Sequence, residues 1–430
     1  MAESVPPAAR PDPSGRNEGP GTRDTSSPSM NFPLVETGEA GGRHHDTDAP
    51  AKENLRDAQG AVAADHFHGQ KAPGAGFQER DSERWHRTGD YRQAYAALDL
   101  GTNNCRLLIA RPSGENLVIV DAFSRVVRLG EGLAQSGVLS QQAMDRTLGA
   151  LHICADKLRR RSVHLARSVA TEACRRAGNG QEFIERVRQE TGIALDIISA
   201  GEEARLAVLG CHILLEPGLG PAMIFDIGGG STELILIEST DTVPRILDWQ
   251  SVPWGVVSLT ETCGEEGDSV PERIARYAKM RDLVSTSLSR FAARAAETRI
   301  KAATTSPLRL LGTSGTVTTL ASLHLDLPQY DRRAVDGLIV PADSMRAISA
   351  RLSSLSITER RELPCIGRER ADLVVAGCAI LEAILDLWPA DRLGVADRGI
   401  REGILRSLIA SHGDGERLRA RLRRQRHGAA

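Results

Sequence analysis

No two cysteines stand at metal-ligand spacing in this sequence. The seven, at 105, 154, 174, 211, 263, 365 and 378, are odd in number and never form Cys-x-x-Cys, which argues against a zinc cage or a disulfide framework. Also missing is any run of roughly 18 apolar residues, so no membrane-crossing helix is expected. The first residues, Met1-Ala2-Glu3-Ser4-Val5-Pro6-Pro7, lack the basic start and apolar centre of a secretory signal. Excess charge is absent too. Lys and Arg number 54 against 56 Asp and Glu, a formal net charge of −2, unlike a globally basic nucleic-acid binder. These absences leave a reduced, cytoplasmic protein as the expectation. The 430 residues are 41% apolar, enough for sizeable cores, and the length suggests two or three domains.

Residues 1–93 differ from the rest. They hold 9 of the 20 prolines and 11 of the 41 glycines, with few aliphatics and no period of 2 or 3.6. Such a segment buries too little apolar surface to offset its ordering entropy, and a disordered leader is expected. From Tyr95 the pattern changes. Strands are expected at 96–101, 105–110, 117–123, 168–170, 195–199, 222–226, 233–237 and 308–311. Helices are expected at 141–160 behind a Ser140 cap, at 180–191, 201–214 and 271–298, and over much of 341–412. Strands alternating with helices imply an α/β architecture. Residues 413–430 form a basic tail, with six arginines between Arg417 and His427.

Two segments align without gaps at an offset of 127 residues. Leu98-Asp99-Leu100-Gly101-Thr102-Asn103-Asn104-Cys105-Arg106 matches Phe225-Asp226-Ile227-Gly228-Gly229-Gly230-Ser231-Thr232-Glu233. Each reads as strand, aspartate, glycine turn and returning strand. Small turn residues let backbone N–H groups approach a phosphate closely. Asn103, Ser231 and Thr232 can add side-chain donors. An aspartate facing a phosphate alone would repel it, so Asp226 and Asp99 make chemical sense as Mg²⁺ ligands, with the metal bridging to phosphate oxygens. A third loop, Gly312-Thr313-Ser314-Gly315-Thr316, joins a strand to a helix N-terminus and forms another anion site.

Duplicated hairpins of this kind resemble the acetate and sugar kinase, heat-shock 70 and actin superfamily. The remaining motifs narrow the likeness. They include Val127-Arg128-Leu129-Gly130-Glu131-Gly132, Thr171-Glu172-Ala173-Cys174-Arg175, Ser199-Ala200-Gly201-Glu202-Glu203-Ala204 and Arg398-Gly399-Ile400-Arg401-Glu402-Gly403. In this order, over about residues 94–410, the chain resembles the exopolyphosphatase / guanosine pentaphosphate phosphohydrolase family, in its short two-domain type. The resemblance implies two ribonuclease-H-like α/β domains, 94–206 and 207–412, facing an interdomain cleft. It implies a hydrolase that releases terminal phosphate from inorganic polyphosphate or guanosine pentaphosphate, with Mg²⁺ or another divalent cation. Neither a membrane nor a nucleic acid enters this reading, and a homodimer is compatible with it.

Phosphoanhydride hydrolysis needs an in-line water and a carboxylate to take its proton. Glu203, at the start of a helix after a strand, is the expected general base, with Glu202 the alternative if the motif is shifted by one. Asp226 and Asp99 are the expected metal ligands. Gly101, Asn103, Gly228, Gly229, Gly230 and Ser231 are expected to cradle phosphates, with Gly312 and Ser314 from the third loop. Arg175 and Arg370 match the family's phosphate-contacting arginines. Glu172 is expected to orient structure, and neither Cys105 nor Cys174 has an evident base. Three departures from the family pattern stand out: Asn104 in the first turn, Ala200 before Gly201, and Asp336-Gly337 where a His-Gly pair is common. Two rival readings share the fold: an ATP-dependent kinase or ATPase, which would need an adenosine pocket, and a sensor that binds polyphosphate or an alarmone without turnover.

Overall fold

The computed structural model describes residues 93–113, 116–218, 220–239, 244–301 and 308–412. Apart from Gln93, the expected leader lies outside the described residues, as does the basic tail. The first sheet contains β1 (Tyr95–Leu100), β2 (Asn104–Ser113), β3 (Asn116–Val126), β4 (Leu165–Ala170) and β5 (Leu195–Ile197), in the order β3-β2-β1-β4-β5. Strands β1 to β3 are antiparallel, and β4 and β5 run parallel to β1. Helices α1 (Gln141–Arg160) and α2 (Gly180–Thr191) connect its strands. As expected, Ser140 caps α1, its hydroxyl accepting from the Ala143 N–H at 3.2 Å.

Helix α3 (Ala200–Cys211) leads to the second sheet. This contains β6 (Pro221–Ile227), β7 (Thr232–Glu238), β8 (Arg245–Val252), β9 (Arg309–Thr313), β10 (Ile339–Pro341) and β11 (Arg392–Ala396). Its order, β10-β11-β9-β6-β7-β8, repeats the first, with β6, β7, β8, β9 and β11 in the places of β1 to β5. The repeat read from nine aligned positions is thus a repeat of whole sheets. Helices α4 (Val256–Thr262), α5 (Val270–Lys301), α6 (Gly315–His324), α7 (Ala342–Ser354) and α8 (Val374–Leu387) complete this half. The chain ends its described course in α9, residues 400–412. Strands β8, β10 and β11 went unread in the sequence. The last two are short pieces between helical stretches, too brief for a period of 2 to register.

Strand parity positions the site. In β1, Ala96, Leu98 and Leu100 join the core under α1 and α2, while Tyr95 and Ala97 face α3 and α9. In β6, Met223, Phe225 and Ile227 join the core under α5 and α8, while Ala222 and Ile224 face α3. Side chains alternate along a strand, so Asp99 and Asp226 fall on the inner faces, at the strand ends. Both aspartates therefore address the same gap between the sheets.

Helix α3 fills part of that gap and is apolar on two flanks. Leu206 and Ala207 pack against the first sheet, and Ala204, Val208 and Cys211 against the second. Helix α9 returns to the first sheet, where Ile400, Ile404 and Leu405 meet Tyr95, Ala97 and Val169. The two helices cross where neither carries a side chain. A Cβ on Gly210 would lie 1.9 Å from the Gly399 carbonyl oxygen, and one on Gly403 1.9 Å from that of Leu206. Substituting alanine at Gly210 must push the helices apart and should cost about 1–3 kcal/mol or more. Gly149, mid-helix in α1 with nothing near its missing Cβ, is the control, and Gly149→Ala should add about 1 kcal/mol. Thermal melts check both; a Gly210→Ala protein melting like the parent would contradict so close a crossing.

Candidate active site

The gap narrows to a cleft of about 150 Å³, lined by both aspartate hairpins, the start of α3, the β9–α6 loop and the β11–α9 loop. It collects most of the residues singled out in the sequence: Asp99, Gly101, Asn103, Glu203, Asp226, Gly228, Gly229, Gly230, Ser231, Ser314 and Arg370 all line it. Two do not. Gly312 sits on the opposite face of β9, where a Cβ would come within 2.6 Å of the Phe225 ring, so its glycine serves packing. Arg175 lies behind the lining and is held by carboxylates. Its guanidinium donates to Glu172 (2.7 Å), Glu203 (3.0 Å) and the Ile198 carbonyl (2.8 Å).

The glycine turns meet each other. A Cβ on Gly229 would lie 3.0 Å from the Asn103 nitrogen, and one on Gly230 2.7 Å from the Thr102 hydroxyl. Helix α4 closes in from behind, with the N–H groups of Val256 and Val257 donating to the Gly228 and Gly229 carbonyls (2.9 and 2.8 Å). The third loop is tighter still. Ser314 has φ +119°, a conformation that glycine favours, and such strain collects at functional sites. The N-terminus of α6 thereby opens into the cleft, and the Arg370 guanidinium comes within 3.1 Å of where a Gly315 Cβ would be.

Six carboxylates line the cleft, and four of them, Asp99, Glu203, Asp226 and Glu233, are raised. Asp226 and Glu233 are direct cross-strand partners in β6 and β7, an arrangement of like charges that is unfavourable by itself. Burial, then the Asp99 charge, pushes Asp226 up to about 6. Burial, then the Asp226 charge, pushes Glu233 up to about 7, although hydroxyls from Ser231 (2.7 Å) and Ser251 (2.9 Å) donate to it. Burial also raises Asp99, with Arg106 and Arg401 opposing. Burial and the Glu233 charge push Glu203 well above the usual carboxylate range, and Arg175 draws it partly back. Glu202, by contrast, pairs with Arg167 and Arg205 away from the cleft, so Glu203 is the glutamate of this motif that faces it.

Arg106, Arg370 and Arg401 also line the cleft and form no ion pair among the described residues. Arg398 also lines it, braced by Asp336 (2.7 Å), the residue found where the family often has histidine. Sequence reading named neither Arg106 nor Glu233. Their signal was present, because they occupy the same place in the repeat, opposite Asp99 and Asp226 respectively. The thiols fall as expected: burial pushes Cys174 up to about 12, leaving no thiolate.

The donor set suits a divalent cation of the Mg²⁺ kind. Buried oxygens of Asp99, Asn103 and Asn104 lack any hydrogen-bond partner among the described residues. No group of three or more His, Cys, Asp or Glu forms a metal cage among the described residues. A cation here would rest on one or two carboxylates and complete its shell with water and substrate phosphate, as Mg²⁺ does.

Duplicated sheets with paired aspartate hairpins, a strained anion loop and unpaired arginines define a phosphoryl-handling protein with the actin, heat-shock 70 and sugar kinase fold. The chain belongs to the Ppx/GppA phosphatase family, whose model it matches over residues 108–412. It is accordingly a hydrolase acting on phosphoanhydride bonds. It is similar to Exopolyphosphatase 2 of Mycobacterium tuberculosis, with 31% identity over 331 residues, covering 73% of this chain and 98% of that protein. A putative exopolyphosphatase of Haemophilus influenzae is 29% identical over 322 residues, covering 73% and 90%. Among solved structures, a Ppx/GppA family member from Aquifex aeolicus superposes with a TM-score of 0.61 at 27% identity, covering 74% of this chain and 98% of that one. An exopolyphosphatase from Cytophaga hutchinsonii gives 0.64 at 25% identity, with the same coverages. Among the described residues no helix is long and apolar enough to cross a membrane.

Raised carboxylates link protonation to stability. Asp226 and Glu233 keep protons in the folded protein that the unfolded chain releases near pH 4. Their stabilising protonation is complete below that pH and is lost as pH climbs through about 6 to 7. Melting temperature of metal-free protein should therefore fall between pH 5 and pH 7, and added Mg²⁺ should raise it more at pH 7 than at pH 5. An Mg²⁺ shift independent of pH would separate the cation from these groups.

Proposed function

We propose that the protein is an exopolyphosphatase, in which Glu203 is the general base and Mg²⁺ is held by Asp226 and Asp99. The observation that carries this reading is the meeting of a buried, proton-avid Glu203 with unpaired Arg106, Arg370 and Arg401 across one cleft. A terminal phosphate seated between the glycine turns and the α6 N-terminus would accept backbone N–H groups and guanidinium forks. Water on the Glu203 side gives its proton to that carboxylate as its oxygen bonds to the terminal phosphorus. The anhydride P–O bond breaks, and the bridging oxygen leaves with the shortened chain. Charge that builds on the phosphoryl oxygens is spread over the arginines. A bound Mg²⁺ would neutralise phosphate charge and offset the repulsion among the acids.

Arg175 is read here as the residue that positions Glu203, through the Glu172–Arg175–Glu203 chain. The decisive experiment is phosphate release with Mg²⁺ from long-chain polyphosphate, guanosine pentaphosphate and ATP side by side. Release should be greatest from polyphosphate. A preference for guanosine pentaphosphate would make this an alarmone hydrolase, and binding without release a sensor. Glu203→Gln should lower turnover by about 10²–10⁴-fold with binding kept. Unchanged turnover would remove Glu203 from the role.

For Arg175→Gln, loss of the opposing cation should move the acid limb of the rate profile to higher pH with little change in KM. A raised KM with an unmoved limb would instead place Arg175 on the substrate.

A further inference from the structure

The cleft does not end at Arg370. A groove continues from it, lined by Asn104, Ser124, Arg125 and Val126 on the first sheet and by the 367–370 segment on the other side. Asn104 and Arg370 line both spaces, so groove and cleft adjoin at these two residues. The groove is basic: Arg125, Arg368 and Arg370 face Glu369 alone. None of these arginines forms an ion pair among the described residues, whereas Arg128, Arg146 and Arg161 nearby all do. Arg125 instead lies over the Phe123 ring, 5.4 Å from its centroid.

The walls are fixed to each other. Arg128, at a left-handed φ of +46°, reaches across to Asp372 (3.0 Å) and to the Glu369 carbonyl (3.0 Å). Its own segment is tied down by Arg146, which donates to the Val127 and Arg128 carbonyls (2.7 and 3.1 Å). The segment carrying Arg368 and Arg370 is thereby clamped to the loop that follows Arg125. The result is a built channel with cations along it.

We propose that this groove is a second anion subsite, which takes the phosphates of a linear polyphosphate that lie beyond the units seated in the cleft. The proposal rests on the exopolyphosphatase reading for the direction of the chain. A short substrate fills the cleft alone; a long one also lies along Arg125 and Arg368. Guanidinium groups hold phosphate oxygens by paired hydrogen bonds and charge, and each contact made adds to the salt dependence of binding.

The test measures binding of tripolyphosphate and of long-chain polyphosphate to full-length Glu203→Gln protein, across a salt series. The Arg125→Ala/Arg368→Ala double variant in that background is the comparison. Long-chain affinity should fall about tenfold, and the slope of log affinity against log salt should become shallower by about one to two. Tripolyphosphate affinity should stay within about twofold, and an Arg159→Ala/Arg160→Ala variant, with equal charge loss on α1, should bind both like the parent. Equal losses for both lengths, no loss for either, or no preference of the parent for the long chain would each overturn the subsite. Phosphate release by the wild-type protein is read separately. Its absence would remove the hydrolase reading and leave the binding comparison decisive for the groove.

Discussion

Two carboxylates placed opposite each other in a dry sheet govern this structure. Asp226 and Glu233 face one another across β6 and β7, with Asp99 adding its charge from the other half. Cross-strand neighbours of like charge weaken a sheet, and burial worsens the repulsion. Burial and mutual repulsion raise both members of the pair, and two hydroxyls donate to Glu233. The chain also brings Arg106, Arg370 and Arg401 into the same cleft, none of them in an ion pair among the described residues. The cleft therefore holds raised carboxylates that lack a cation and arginines that lack an ion-pair partner among the described residues. A metal-bound polyanion answers both deficits at once, which is why the site's chemistry and its instability have a common origin.

The duplicated hairpins show how this asymmetry arises. The same position holds arginine in the first copy, at 106, and glutamate in the second, at 233. Arg106 stands opposite Asp99 and compensates it. Glu233 stands opposite Asp226 and compounds it. Two copies of one backbone plan thus present opposite charge balances to the gap between them.

Much of this was legible in the sequence, because it depended on local pattern. The glycine turns, the strand parity that aims Asp99 and Asp226 inward and the Ser199-capped start of α3 all follow from residues near in the chain. What escaped depended on distant packing. Gly312 looks like part of an anion loop, but its glycine is required by the Phe225 ring. Arg175 is expected on phosphate, and its ion pairs with Glu172 and Glu203 come into view only with the fold. Glu233 and Arg106 read as ordinary strand residues, since only the pairing of β1 with β2 and β6 with β7 turns them toward the cleft. Asp336, a departure from the family pattern, proves to brace Arg398, a contact between positions 62 residues apart.

The crossing of α3 with α9 also orders events in time. The first sheet is laid down before residue 200, yet its inner face is only partly covered, by Leu206 and Ala207, until residues 400–412 arrive to pack beside them. A nascent chain leaving the ribosome would carry that apolar face through the synthesis of the whole second sheet. Arg401 is delivered to the cleft by the same segment, so neither that cover nor the full set of lining residues exists until residues 400–412 are made. Until then part of an apolar sheet face lies open, the kind of surface from which aggregation of growing chains begins.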